Sequence, residues 1–108
     1  MSVNSDTIEV YTSSTTLTAF SHVALVDATA GAVVITLPPL ADLAGGVRIA
    51  IKKIDDSANT ASVTGDGTET IDGESSIAIA VRYECVVIAA DVNSAGWSLI
   101  AGIGSVAD

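Results

Sequence analysis

The sequence is poor in cysteine and in basic residues, and both shortages exclude classes of function. A single cysteine, Cys85, excludes an intrachain disulfide and a zinc site built on a cysteine cluster, and it is typical of a chain made in a reducing cytoplasm. Four lysines and arginines stand against thirteen aspartates and glutamates, and the formal net charge of −9 opposes binding to nucleic-acid phosphates. Because of this charge, we expect no nucleic-acid partner. No run of about 20 apolar residues is present, so we expect no membrane partner either.

Aromatic residues are also scarce, whereas β-branched residues are abundant. The 108 residues include one Trp, two Tyr and one Phe, but 13 Val, 11 Ile and 11 Thr. Such side chains suit a pleated surface and crowd a helix. Short apolar stretches alternate with turn signals about every 8–12 residues, the pattern of a sandwich or barrel. We predict an all-β fold: a compact antiparallel sandwich or barrel of about eight short strands with no substantial helix. With few large side chains to fill a core, we expect help from subunit association.

The chain divides into three predicted segments. Residues 1–14 are predicted as a polar N-terminal arm or edge strand, residues 15–101 as the β-domain and residues 102–108 as a small-residue C-terminal tail. The first residues lack the basic and apolar parts of a signal peptide, so no signal peptide is expected. The length of 108 residues predicts a single module. No fixed repeat is visible, so a solenoid or propeller is not expected.

The clearest predicted strand covers Val47–Ile54, and it carries three of the four basic residues. Its odd-numbered residues share an apolar side, and its even-numbered residues share a solvated side. Lys53 falls on the apolar side, where it is expected to reach solvent from the sheet end or to pair with an acid such as Asp55. A basic strand facing the acidic loop of a neighbouring subunit fixes register by charge. The residues predicted for such a contact are Arg48, Lys52, Lys53, Asp55 and Asp56.

Residue types that support catalysis are few and poorly placed. His22 is the sole histidine, and its neighbour Ser21 points to the opposite face of a strand, so a half-buried or interface histidine is the better interpretation. Cys85 lies in an apolar run and is expected to behave as a small hydrophobic residue. We therefore predict no catalytic residue and no cofactor, and the chain is not expected to be an enzyme.

Acidic residues cluster in one loop. Asp66, Glu69, Asp72 and Glu74 lie within nine residues of each other, but their spacing does not match a calcium-binding loop. A solvated acidic rim is the preferred interpretation, and no metal site is predicted.

Several segments between residues 25 and 100 resemble a β-module of tailed-bacteriophage virion proteins, a group that includes head-decoration, tail-fibre and spike proteins. The generic part of the likeness is β patterning, such as Val33–Leu37 closing on Pro38 and Pro39. The specific part lies in Ile51–Asp55 followed by Ser57–Thr60, and in Glu69–Gly73.

The resemblance implies a non-enzymatic structural protein that works as a homotrimer on the virion exterior, with the major capsid protein or other virion proteins as partners. No coiled coil or fibrous shaft is visible, which favours a head-decoration, or capsid cement, protein made in the host cytoplasm. The alternative is a tail-fibre or spike module that binds a host receptor or glycan. Because sugars stack on aromatic faces, that alternative needs an exposed aromatic residue. The candidates are Tyr11, Phe20, Tyr83 and Trp97, of which Trp97 is expected to fill the core.

Overall fold

The chain forms short β-strands throughout the part that the structure describes. This computed structural model describes residues 8–18, 23–43, 47–91 and 96–102, and residues 105–106 as backbone. The strands in these ranges are β1 Ile8–Tyr11, β2 Thr15–Thr16, β3 Val23–Val26, β4 Val33–Thr36, β5 Arg48–Lys53, β6 Ala61–Thr64, β7 Thr70–Ile71, β8 Ser76–Ile79, β9 Cys85–Asp91, β10 Gly96–Gly102 and β11 Ser105–Val106. One 3₁₀ turn, Leu40–Asp42, follows the two prolines. The all-β prediction is confirmed.

Two mixed sheets make up the fold. A six-stranded sheet has the order β1-β3-β5-β9-β10-β7, and a five-stranded sheet has the order β11-β8-β6-β4-β2. Among the described strands, five pairings are parallel and four are antiparallel, so the prediction of an antiparallel fold is wrong. Strands β1 and β11 are edge strands, and parts of both predicted terminal segments therefore pair with the β-domain.

The parallel pairings arise from the path of the chain. From β1 to β9 each successive strand lies in the other sheet, and within β1–β6 each strand pairs in parallel with the strand two later in the chain. The crossover that parallel neighbours require is here a strand of the opposite sheet. Ile8 pairs with Val23, 15 residues on, and Val23 pairs with Ala50, 27 residues on. Because these intervals differ in length, strands β1–β6 wind between the two sheets without a fixed sequence period.

Alternating residues of both sheets meet in one hydrophobic core. In β5 the inward residues are Ile49, Ile51 and Lys53, as the odd–even pattern predicts. Trp97 is only 2% exposed and fills the core, as expected. The buried apolar residues are Leu17, Ala24, Val26, Ala28, Val33, Ile35, Leu37, Leu40, Ile49, Ile51, Ala61, Val63, Ile71, Ile77, Ile79, Val86, Ile88, Ala90 and Trp97.

A tight turn between β7 and β8 is fixed by its sequence. Asp72 and Gly73 have φ angles of 51° and 84°, and few residues other than Asp, Asn and Gly adopt such values readily. The amides of Ile71 and Glu74 donate to each other's carbonyl oxygens at 2.7 and 2.8 Å. Asp-Gly is the typical pair for a turn with two positive φ angles. The local sequence therefore accounts for the tight turn at this segment.

Candidate interaction surface

The outer face of the six-stranded sheet, meaning the side that points away from the core, is largely apolar. Strand register places one row of side chains across five strands: Ile8, Val23, Ala50, Val87 and Ala101. The next row contains Val10, Leu25, Lys52 and Cys85. Ile8 is 69% exposed and Val10 is 55% exposed. Since monomeric proteins rarely expose wide apolar patches, this face is a candidate contact surface for another protein.

The outer face carries more positive than negative charge, although the chain is strongly acidic. Arg48 and Lys52 point outward from β5, and Asp91 lies on the same side at the far end of β9. The only other carboxylate among the described strand residues is Glu9, which is in register with the inward-facing Ala24. The face is therefore suited to an apolar partner surface with acidic groups.

The outer face of the five-stranded sheet is different. One row consists of hydroxyl side chains, and the adjacent row mixes small polar and apolar residues. The hydroxyl row is Thr16, Thr36, Thr64 and Ser76, and the adjacent row is Val34, Ser62 and Ala78. The Thr64 hydroxyl donates to the Ser75 carbonyl at 3.0 Å. Such side chains are satisfied by neighbouring backbone or by water, so this face needs no protein partner.

A basic and aromatic cluster lies at one end of β5 and β9, and we call its three residues, Lys52, Arg82 and Tyr83, the Tyr83 knob. Tyr83 as a whole residue is 57% exposed, and its backbone φ angle is 70°. The Arg82 guanidinium lies 4.7 Å from the ring centroid, and the Lys52 ammonium lies 5.3 Å from it. The Arg82 Nε also donates to the Ile54 carbonyl at 3.1 Å. Both cations are within cation–π range, so ring and charges form one protruding unit.

Beneath this end of the sheet lies a buried ion-pair cluster. The Lys53 side chain has no exposed surface, and its Nζ donates to Asp55 Oδ2 at 3.0 Å, to the Asp55 carbonyl at 2.9 Å and to the Ser57 carbonyl at 3.0 Å. The Ala28 amide donates to Asp55 Oδ1 at 2.7 Å, and the amide and hydroxyl of Ser57 donate to Oδ2. The Asn59 side chain donates to the Ala28 carbonyl at 2.7 Å. The cluster ties the turn after β3 to the turn after β5.

Hydrogen bonds keep the Asp55 carboxyl ionised inside this cluster. Burial on its own raises the pKa of Asp55, because it penalises the charged form. Hydrogen bonds from the Ser57 hydroxyl, the Ala28 amide, the Lys53 ammonium and the Ser57 amide outweigh that effect and hold the pKa of Asp55 well below its ordinary value. Because the charge of Asp55 is buried and hydrogen-bonded within the chain, its role is structural: it holds the two turns together.

The residues predicted for subunit contact separate into two groups. Lys53 and Asp55 pair with each other inside the chain, as one of the two expected arrangements has it, so neither presents its charge to a neighbour. Arg48, Lys52 and Asp56 lie at the surface, and their contact with another subunit stays a prediction. Asp56 approaches the Arg82 guanidinium at 3.9 Å.

Sequence reasoning missed the Tyr83 knob as a unit. The sequence pattern predicts Lys52 on the solvated side of its strand, and it indicates Tyr83 only as a candidate for sugar stacking. The sequence gives only a weak indication that these residues are in contact. Arg82 and Tyr83 lie between the apolar alternation of β8 and the start of β9, where a turn is expected. The segments Ile51–Asp55 and Ser57–Thr60, which carry the phage resemblance, contribute Lys53, Asp55, Ser57 and Asn59 to the buried cluster.

A pocket of about 190 Å³ lies at the β7 end of the molecule. Its lining is partly apolar and partly acidic: Ile71, Asp72, Glu74, Ile77 and Leu99. The Asp72 carboxylate accepts a hydrogen bond from the Leu99 amide at 3.1 Å, which fixes the turn against β10. Two residues of the predicted acidic rim therefore border an apolar hollow, which we call the β7 pocket.

The other candidate residues are the sole histidine, the sole cysteine and three aromatic residues. His22 and Phe20 lie outside the described residues. Cys85 is a half-buried free thiol, Trp97 is buried and Tyr11 is half-buried. No group of three or more His, Cys, Asp or Glu side chains is placed to hold a metal ion in the ranges that the structure covers. Those ranges also contain no helix that is long and apolar enough to cross a membrane.

No protein-family model matches the chain, and no curated protein matches it. The resemblance to phage virion modules, drawn from Ile51–Asp55, Ser57–Thr60 and Glu69–Gly73, stays a prediction.

Proposed function

We propose that this chain is a non-enzymatic structural protein of a tailed-bacteriophage virion: a homotrimeric head-decoration protein bound to the capsid exterior. The observation that supports it most is the apolar outer face of the six-stranded sheet, where five strands contribute the row Ile8, Val23, Ala50, Val87 and Ala101. Burying such a face against another protein stabilises the complex by about 25 cal/mol per Å² of apolar surface, before the costs of association.

The charges on the outer face favour an acidic partner surface. Arg48 projects among the apolar side chains, where it sets register on the shell, and Arg48 and Lys52 together oppose docking of two outer faces against each other. The hydroxyl row of the five-stranded sheet then faces solvent. In this arrangement the sandwich is a rigid block: the outer face of the six-stranded sheet binds the capsid, and the outer face of the five-stranded sheet is exposed to solvent.

A block of this kind stabilises a capsid without chemistry. A protein that binds the expanded shell and not the unexpanded one shifts the equilibrium toward the expanded state by mass action. A trimer matches a local three-fold point of a capsid lattice and repeats the same contact three times. Joining three weak contacts in one body raises the overall affinity by a factor of about 10²–10⁴.

The proposal is tested on particles from the phage genome that encodes this chain, prepared with and without its reading frame. We expect the protein to occupy many equivalent positions on the outside of the head, and we expect heads that lack it to release DNA at lower temperature or sooner in chelator. Equal DNA release from both preparations contradicts the cementing role, and density for the chain on the tail alone contradicts the location.

The exposed Tyr83 ring supports a second candidate, a receptor-binding module of a tail fibre or spike. Sugar rings stack on exposed aromatic faces, and the flanking Lys52 and Arg82 favour an acidic sugar. This candidate predicts that the purified protein binds acidic glycans on an array and blocks phage adsorption. It also predicts that Tyr83→Asn abolishes both effects, because Asn tolerates the positive φ while removing the ring. Binding that persists in Tyr83→Asn excludes Tyr83 as the sugar-stacking residue.

A further inference from the structure

We propose that copies of this chain associate head to tail, with Tyr83 of one copy seated in the β7 pocket of the next. This contact names how the subunits of the proposed homotrimer meet, and it rests on the proposed function only in that respect. Its physical support comes from the size of the pocket, from the charges on both sides and from where the two parts lie on the molecule.

The size of the pocket matches an aromatic ring. A cavity of about 150 Å³ lined by apolar residues accommodates benzene, and the β7 pocket measures about 190 Å³. Of its apolar residues, Ile71 and Ile77 are almost fully buried, so the half-buried Leu99 provides most of the apolar surface for the ring of Tyr83. Tyrosine is enriched among residues that dominate binding energy when they fill a pocket on the partner.

The charges on the two parts are complementary. Lys52 and Arg82 flank the ring of the Tyr83 knob, whereas Asp72 and Glu74 border the β7 pocket. Two copies of a chain with a net charge of −9 repel each other unless cations of one meet carboxylates of the other. Only four basic residues exist and Lys53 is buried, so a knob that contains two of the three outer cations is the strongest attractive element available.

The knob and the pocket lie far apart on one molecule. Strand β7 pairs with Gly96 and Trp97 at the start of β10. Tyr83 precedes β9, whose Val86 pairs with Gly102 at the other end of β10. At about 3.4 Å per residue, the ends of β10 alone are on the order of 17–20 Å apart. The knob therefore cannot fill the pocket of its own chain, and contacts between unlike surfaces close into rings or extend as filaments.

A contact of this kind is also compatible with capsid binding. Both parts lie on the periphery of the six-stranded sheet: the knob at the ends of β5 and β9, and the pocket beside the edge strand β7. Copies joined there leave the central rows of the outer face uncovered. A closed ring of three then presents three outer faces to one shell.

The test uses two complementary variants of the full chain and one control. Tyr83→Asn removes the ring at a φ that Asn tolerates, and the double variant Asp72→Asn/Glu74→Lys removes the negative rim while keeping an oxygen for the Leu99 amide. The control Val34→Asn changes an exposed apolar residue on the five-stranded sheet. Thermal melting establishes that each variant folds, and sedimentation velocity measures mass across a concentration series.

We expect a closed ring for the wild type and the control, and at least tenfold weaker association for each complementary variant. An equimolar mixture of the two variants retains one intact knob and one intact pocket, so we expect it to form dimers without rings. A Tyr83→Asn protein that keeps the wild-type mass overturns the inference, as does a wild type that is monomeric or a two-fold dimer, or a mixture without dimers. Particle occupancy tests the virion role separately, because a chain can form rings and still be absent from the head.

Discussion

The two outer faces of this sandwich have the same backbone design and opposite surface chemistry. On the six-stranded sheet the outward rows are mostly apolar and include Arg48 and Lys52. On the five-stranded sheet one outward row is the hydroxyl row, which runs across the strands from Thr16 in β2 to Ser76 in β8. Inward residues are apolar in both sheets, because both contribute to one core. The difference therefore lies in what each face meets. A hydroxyl row can form hydrogen bonds with water, whereas a wide apolar face is expected to be covered by another protein.

The largest expected effect comes from breaking the buried ion-pair cluster that joins the turn after β3 to the turn after β5. Asp55→Ala leaves the Lys53 ammonium buried without its carboxylate, and we expect the free energy of unfolding to fall by about 3–5 kcal/mol. The double variant Lys53→Met/Asp55→Asn removes both charges and is expected to recover most of that loss. Urea denaturation measures both values. A single variant as stable as the wild type would show that the cluster does not hold the frame.

The next effect separates the two faces directly. Val87→Asp places a carboxylate in the central apolar row, and we expect at least a tenfold loss in binding to particles, equivalent to about 1.4 kcal/mol. Ser62→Asp makes the matched change on the five-stranded sheet and is expected to bind as the wild type does. Quantitative mass spectrometry of particles reconstituted with each variant gives the occupancy, and melting curves establish that both variants are folded. Equal losses in both variants contradict the assignment of the faces.

Acid sharpens the contrast between the cluster and the rest of the acidic surface. The pKa of Asp55 is lowered in the folded state, so its contribution to stability is present above the unfolded pKa of about 3.9 and is lost as pH falls through the lower folded value. We expect the stability difference between wild type and the Lys53→Met/Asp55→Asn variant to shift against the wild type below about pH 4. Urea denaturation at a series of pH values checks this. Parallel curves for the two proteins would exclude Asp55 as the source.

The smallest effects are expected on the hydroxyl face. Thr16→Val alters an exposed residue and is expected to change the free energy of unfolding by less than about 0.5 kcal/mol. Thr64→Val removes the hydrogen bond to the Ser75 carbonyl and is expected to cost about 1 kcal/mol. Both variants should occupy particles normally. Reduced occupancy of either, at unchanged stability, would assign a binding role to this face.

Sequence reasoning reached the local features of the fold and missed the neighbour relations. The parity of Val47–Ile54, the pairing of Lys53 with Asp55 and the tight turn at Asp72 all follow from short-range patterns. Parallel pairing does not, because an alternating strand has the same pattern in parallel and antiparallel sheets with one solvated face. Turns of unequal length then conceal the winding.

The candidate site was harder to predict for a related reason. Val81 continues the apolar alternation of Ile77 and Ile79 in the sequence, but β8 ends at Ile79 and Val81 is exposed. The chain turns there, and the positive φ of Tyr83 directs the ring toward Lys52 and Arg82. Residues that meet through a turn and a neighbouring strand leave no fixed spacing in the sequence. The sequence does not reveal the apolar outer face either, because Ile8, Val23, Ala50 and Val87 are brought into one row only by the strand order.

Labelling of Cys85 by a small alkylating reagent tests the central claim most directly. Cys85 is the sole cysteine of the sequence, and it lies on the outer face of the six-stranded sheet beside Lys52. The matched control is Ser62→Cys in a Cys85→Ser background, which places the thiol on the opposite face. We predict that Cys85 reacts in the free protein and is protected on the particle, while the control thiol reacts at the same rate in both. Equal rates for Cys85 in the two states, or protection of the control thiol alone, would contradict the account.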